Sequence, residues 1–91
     1  MKKRAHVYVS GRVQGVLFRA TTRDEAWKRG VTGWVKNLAD GRVESVFEGE
    51  EDKVEEMVDF CHEGPRAAQV DDVEVNWEEY RGEFSGFGVQ Y

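Results

Sequence analysis

The segment Ala5-His6-Val7-Tyr8-Val9-Ser10-Gly11-Arg12-Val13-Gln14-Gly15-Val16-Leu17-Phe18-Arg19 decides how the rest of the chain is arranged. From Ala5 to Ser10 the residues alternate, Ala5, Val7 and Val9 to one face and His6, Tyr8 and Ser10 to the other, which is the pattern of a half-buried strand. The period then changes. Phe18, Thr22 and Ala26 recur at i, i+4, the inward stripe of a helix that runs to about Arg29 and stops at Gly30. Between strand and helix lies a turn with a glycine at each end, closed by the cation Arg19. Such a turn can point several backbone N–H groups at one spot beside a helix N-terminus, and that spot attracts anions without any metal. The planar guanidinium of Arg19 adds a two-pronged grip on a phosphate or carboxylate. Two familiar phosphate motifs do not fit. Gly11 and Gly15 enclose three residues rather than four, Val16 stands where the Walker lysine would follow, and no G-x-G-x-x-G is present.

Beyond Gly30, residues 31–37 read as a second strand and Arg42 to Glu48 as a third. The Asp40-Gly41 pair between them is a hairpin signal, so the two strands pair antiparallel. In the third strand Val43, Ser45 and Phe47 share one face, and Glu44, Val46 and Glu48 share the other. Glu50-Glu51-Asp52 opens a second helix, where carboxylates suit the positive end of the dipole. Val54, Met57, Val58 and Cys61 form its core-facing stripe, and Gly64-Pro65 ends it. Gln69 to Trp77 alternates as a fourth strand, and Phe87, Val89 and Tyr91 alternate in a short terminal one.

The element order βαββαβ, with one apolar stripe per helix, predicts an α+β ferredoxin-like sandwich. An antiparallel four-stranded sheet plus the short terminal strand carries both helices on one face, and residues 1–91 form a single domain. A helix that returns the chain across the sheet makes the first two strands point the same way. The loop after the first strand and the end of the second, Asn37, therefore meet at one edge, which brings Asn37 towards Arg19.

Composition bounds the rest. A chain of 91 residues with 40% hydrophobic content suits one compact core that buries roughly 60 to 65% of its unfolded surface. No apolar run reaches membrane-spanning length, and Met1-Lys2-Lys3-Arg4 does not lead into a signal-peptide stretch, so the chain reads as cytoplasmic and without a membrane partner. The single Cys61 cannot form an internal disulfide. The net charge of −5 disfavours nucleic-acid binding. Charge is also uneven: residues 1–42 hold ten Lys/Arg against three Asp/Glu, and residues 43–91 hold three against fifteen. Unless folding intermixes the halves, the anion site lies in positive surroundings that would concentrate a small anionic substrate.

Gly11-Arg12-Val13-Gln14-Gly15-Val16-Leu17-Phe18-Arg19 resembles the G-x-V-Q-G-V-x-F-R signature of acylphosphatases, and Gly33-Trp34-Val35-Lys36-Asn37 resembles that family's G-W-V-[RK]-N. Both motifs are complete and in order. The resemblance implies metal-independent hydrolysis of an acyl phosphate, the mixed anhydride of a carboxylic acid and phosphoric acid, to a carboxylate and inorganic phosphate. Carried over by position, Arg19 and the backbone amides of Gln14, Gly15, Val16, Leu17, Phe18 and Arg19 would hold the phosphoryl oxygens, and Asn37 would orient the attacking water. The resemblance implies no cofactor and no covalent phosphoenzyme. It implies a small-molecule acyl phosphate as substrate, with inorganic phosphate as product and inhibitor, and a monomer is expected.

Rival chemistries fare worse on the residues. Cys61-His62-Glu63-Gly64-Pro65-Arg66 has four residues between cysteine and arginine, whereas a cysteine phosphatase loop needs five, and here it ends a helix instead of preceding one. Asp71 and Asp72 are adjacent and point to opposite faces. His6, Cys61 and His62 lack metal-ligand spacing. Trp27, Trp34 and Trp77 are expected in core or edge packing, and His6 at the surface. An RNA-recognition module shares the element order, but the third strand offers two carboxylates and one aromatic, and Tyr8 alone is a poor stacking platform. A noncatalytic anion sensor on the same fold would not need Arg19 and Asn37 intact.

Overall fold

A computed structural model describes residues 1–91. The elements are β1 Lys2–Arg12, α1 Phe18–Arg29, β2 Thr32–Asn37, β3 Val43–Glu50, α2 Glu51–Glu63, β4 Gln69–Glu78 and β5 Phe87–Gln90. They build one five-stranded sheet in the order β4-β1-β3-β2-β5. β1 pairs antiparallel with β3 and β4, and β2 antiparallel with β3. The terminal strand, expected as an appendage to an antiparallel sheet, instead joins it by pairing parallel with β2, so the sheet is mixed. No helix is long and apolar enough to cross a membrane.

Both helices bury the stripes that their periodicity dictates: Phe18, Thr22 and Ala26 in α1, and Val54, Met57, Val58 and Cys61 in α2. These meet the inward residues Ala5, Val7, Val9, Val35, Val43 and Phe47 in one apolar core. The one polar side chain in the α1 stripe is satisfied, since Thr22 Oγ1 donates to Phe18 O at 2.7 Å. Gly33 has a packing reason: a Cβ there would lie 1.8 Å from Val46 O, so the β2–β3 ladder closes only around a residue without a side chain.

Position in the sheet explains where the site falls. β1 and β2 both run antiparallel to β3, and β5 runs parallel to β2, so all three point the same way. Their C-terminal ends, followed by the turn into α1, meet at one edge of the sheet. The chain linking β4 to β5 must pass from one sheet edge to the other, about 19 Å at four strand spacings. It does so on the face away from the helices, where Arg81 N donates to Glu48 Oε2 at 2.8 Å and Phe84 packs under the Arg4 guanidinium. The outer face of β3 is therefore covered. Glu48 and Val46, on the face of β3 opposite Val43, Ser45 and Phe47, are buried, at 0% and 1% exposure.

The charge asymmetry along the sequence does not survive folding at β1. Lys2 faces Glu50 and Arg4 faces Glu48 and Glu78 across the ladders, and Lys3 Nζ lies 3.1 Å from Glu51 Oε1. The tryptophans are not core residues. Trp27 is 59% and Trp77 47% exposed, the former donating its indole N–H to Phe87 O on edge strand β5 and the latter lying under Lys3 on edge strand β4. His6 is half-buried, with Nε2 2.6 Å from Glu44 Oε2.

Candidate active site

The turn after β1 contains two left-handed residues, Gly15 at φ 74° and Leu17 at φ 64°. For glycine that conformation is free of strain; for leucine it costs roughly 1–2 kcal/mol. Alternating left- and right-handed residues turn successive N–H groups to the same side, forming a concavity that suits an anion. From Gln14 to Ala20 no backbone N–H donates to a protein acceptor, and Thr21, donating to Leu17 O at 3.0 Å, is the first in α1 to do so. The two helices differ in a way that matters here. α2 neutralises its positive end with Glu51 and Asp52, whereas the first turn of α1 holds no acidic residue. The uncompensated end of the α1 dipole faces the turn.

A cleft of about 310 Å³ opens at this point, lined by Gly15, Leu17, Phe18 and Arg19, by Asn37 at the end of β2, and by Val89 from β5. No aspartate or glutamate lines it. Arg19 takes no part in an ion pair; its guanidinium stacks 4.7 Å from the Tyr91 ring and makes one long contact, 3.4 Å, to Gln90 O. It is held in direction but not in charge. Asn37 Oδ1 is buried and has no hydrogen-bond partner in the protein. An amide oxygen buried without a partner forfeits about 1–3 kcal/mol.

Of the residues singled out from sequence, Gly15, Leu17, Phe18, Arg19 and Asn37 line the same cleft, and Gln14 and Val16 do not. Val16 packs its side chain against the core. Gln14 turns its side chain to the β2–β3 hairpin, where Nε2 donates to Leu38 O at 2.8 Å and to Arg42 O at 2.9 Å; only its main chain belongs to the turn. Sequence reasoning missed Arg23, Val89 and Tyr91, which also line the cleft. Arg23 lies one turn beyond Arg19 on α1, and that spacing was the available signal. The other two arrive only because β5 docks beside β2.

The remaining candidates fall away on geometry. Cys61 is fully buried, and burial pushes its thiol up to about 12, far from a thiolate nucleophile. No cluster of His, Cys, Asp and Glu has the arrangement to hold a metal ion. A second depression of about 480 Å³ between α1 and α2 presents Glu25, Glu56, Asp59 and Glu63 against Arg29 alone and would repel an anion.

The family model for acylphosphatase matches residues 5–89. The acylphosphatase of Pelotomaculum thermopropionicum is 56% identical over 90 residues, spanning 99% of this chain and 98% of its own. That of Haloarcula marismortui is 61% identical over 88 residues, spanning 97% and 96%. The crystal structure of acylphosphatase from Bacillus subtilis aligns over 100% of both chains with a TM-score of 0.93 at 37% identity. The structure of an acylphosphatase from Coxiella burnetii aligns over 98% of this chain and 93% of its own, with a TM-score of 0.92 at 40% identity.

Proposed function

The chain belongs to the acylphosphatase family, hydrolases acting on acid anhydrides, and from that premise we propose that its cleft binds the phosphoryl group of a small acyl phosphate between the amides of residues 14–19 and Arg19 while Asn37 orients the attacking water. The observation that carries the reading is that Arg19 and Asn37, eighteen positions apart in sequence, line one cleft together with Gly15, Leu17 and Phe18 of a turn whose backbone N–H groups have no protein acceptor.

The chemistry asked of the site is modest. The water oxygen bonds to phosphorus as the bond from phosphorus to the acyl oxygen breaks, the carboxylate departs with the bonding pair, and the water's proton ends on a phosphoryl oxygen. The leaving carboxylate has a conjugate acid with a pKa of about 4, so no general acid is needed. What remains is positioning and charge. The uncompensated α1 dipole, the amides and the guanidinium stabilise the equatorial oxygens as charge spreads over them, and the carboxamide fixes the line of attack. Inorganic phosphate, being the product and a match for the same donors, would compete. We further read the protein as a cytoplasmic monomer, a reading supported by its one buried, unpaired cysteine, which suits a reducing compartment.

The test is hydrolysis of benzoyl phosphate by purified protein in the presence of EDTA, followed by ultraviolet absorbance. Turnover with competitive inhibition by phosphate is expected. Activity that depended wholly on an added divalent ion would overturn the mechanism.

A further inference from the structure

We infer that Gln14 is a positioning residue: its side-chain amide ties the phosphate turn to the carbonyl next to Asn37 and so sets the distance between bound phosphoryl group and oriented water. Both hydrogens of Nε2 are used, one on Leu38 O at 2.8 Å and one on Arg42 O at 2.9 Å. Leu38 directly follows Asn37, and the hairpin closes on itself through Leu38 N donating to Arg42 O at 2.8 Å and Gly41 N donating to Leu38 O at 3.2 Å. One primary amide thus spans the two strands of the hairpin at the point where they part. No other side-chain hydrogen bond joins residues 13–17 to the rest of the protein.

The choice of residue follows from what the bridge must do. Two carbonyl oxygens need two hydrogens on one atom, which a neutral amide supplies and a carboxylate cannot. Gln14 is half-buried, so both carbonyls lose a partner at some cost if the amide is removed. The consequence for chemistry is directional. The turn can keep its own amides and Arg19 when the bridge is cut, because the backbone conformation at Gly15 and Leu17 and the start of α1 are local. What is lost is the register between that turn and Asn37. A misplacement of about 1 Å between reacting groups can cost on the order of a hundredfold.

This inference rests on the hydrolase reading above, and the experiment separates the two. Turnover of benzoyl phosphate and the inhibition constant of inorganic phosphate are measured for wild type, Gln14→Ala, Asn37→Ala and the double variant, with enzyme concentration raised for the slow ones. Gln14→Ala is expected to lower kcat on the order of tenfold to a hundredfold while leaving the phosphate constant nearly in place. In the Asn37→Ala background the same change should alter kcat by no more than about twofold, the strong non-additivity of residues that act through one another. Equal losses in both backgrounds, or a phosphate constant that worsens in step with kcat, would overturn the role given to Gln14. If Asn37→Ala itself keeps full turnover, the hydrolase mechanism fails and this inference fails with it.

Gln14→Glu keeps the question answerable should the alanine variant not fold. An ionised carboxylate faces two carbonyl oxygens and is repelled, whereas the protonated form donates one hydrogen bond. Repulsion places the introduced carboxyl's pKa above the ordinary value of about 4.3. Its kcat relative to wild type should rise as pH falls through that pKa, a profile that loss of packing alone does not produce. A ratio independent of pH would count against the bridge.

Discussion

Arg4 and Glu48 form an ion pair beneath the linker that crosses the sheet, Nη1 to Oε2 at 3.1 Å, with the arginine side chain 7% exposed and the glutamate 0%. Arg4 also reaches Glu78 Oε1 at 2.8 Å and Glu83 Oε1 at 2.7 Å, so one guanidinium gathers carboxylates from β3, β4 and the linker. Glu48 Oε1 is buried without a partner. Removing the cation strands a buried carboxylate: Arg4→Met should cost about 3–5 kcal/mol in denaturant unfolding, a large part of the stability of a domain this small. Replacing both residues, Arg4→Met with Glu48→Leu, should recover most of that loss. A single variant no less stable than wild type would show that the network is not what fastens the linker.

At the cleft, Arg19 and Asn37 are expected to separate by kinetic signature. Arg19→Gln should abolish protection by inorganic phosphate and turnover together, because the proposed role of the guanidinium is to grip the group common to substrate, transition state and product. Asn37→Ala should leave phosphate binding intact and lower kcat on the order of a hundredfold to a thousandfold, the usual cost of removing a hydrogen-bonding group aimed at a reacting centre. Phosphate inhibition constants alongside kcat and KM for benzoyl phosphate check both. If Asn37→Ala lost phosphate affinity instead, its carboxamide would be a phosphate ligand and not a guide for water.

What could be read from the sequence was whatever repeats with a local period. Ala5, Val7 and Val9 on β1 and the Phe18, Thr22, Ala26 stripe on α1 declare their faces without reference to the rest of the chain, and the direction of β1 and β2 then follows from the intervening helix. That reasoning brings Arg19 and Asn37 to one edge, and they do line one cleft. Glu48 was illegible because its burial depends on a linker folding back from the far end of the chain. On α1, Asp24 pairs with the neighbouring Arg23, while Glu25 takes both Lys28 and Arg29. The bridge from Gln14 likewise joins positions 24 and 28 residues apart and leaves no mark in either segment.

Leu17 offers a test of strain at the site. It is the one residue other than glycine with positive φ, 64°, and its side chain is mostly exposed, so little packing compensates. Leu17→Gly should raise stability by about 1 kcal/mol net of the greater freedom of glycine in the unfolded chain, measured as a shifted urea midpoint. Gly15→Ala, at φ 74° with nothing within 4 Å of the new Cβ, should lose about 1–2 kcal/mol from backbone strain alone. Opposite signs at two positions two residues apart are the expected result, and equal signs would mean that the turn relaxes.

Cys61 should resist alkylation by iodoacetamide while the protein is folded. Burial pushes its thiol up to about 12 and leaves it out of reach of solvent. Labelling at neutral pH should therefore track unfolding and rise steeply across the denaturant transition. Rapid labelling of the native protein would place the thiol outside the core.

Acid should destabilise the fold through paired carboxylates. The hydrogen bond from Arg29, helped by Lys28, holds Glu25 below its ordinary range, and that from Arg4 does the same for Glu78. Both carboxyls titrate at about 4.3 once unfolded. Because the folded values are depressed, the stabilisation is complete above that pH and drains away as pH falls through the folded values, where the native state must take up protons that the unfolded chain already carries. Urea midpoints should be flat from pH 7 to about 5 and then fall. Glu25→Gln and Glu78→Gln, each removing one such carboxylate, should lower stability at neutral pH and flatten the acid limb. An acid limb unchanged in both variants would shift the effect to the other carboxyl groups held low, Glu44 and Asp40.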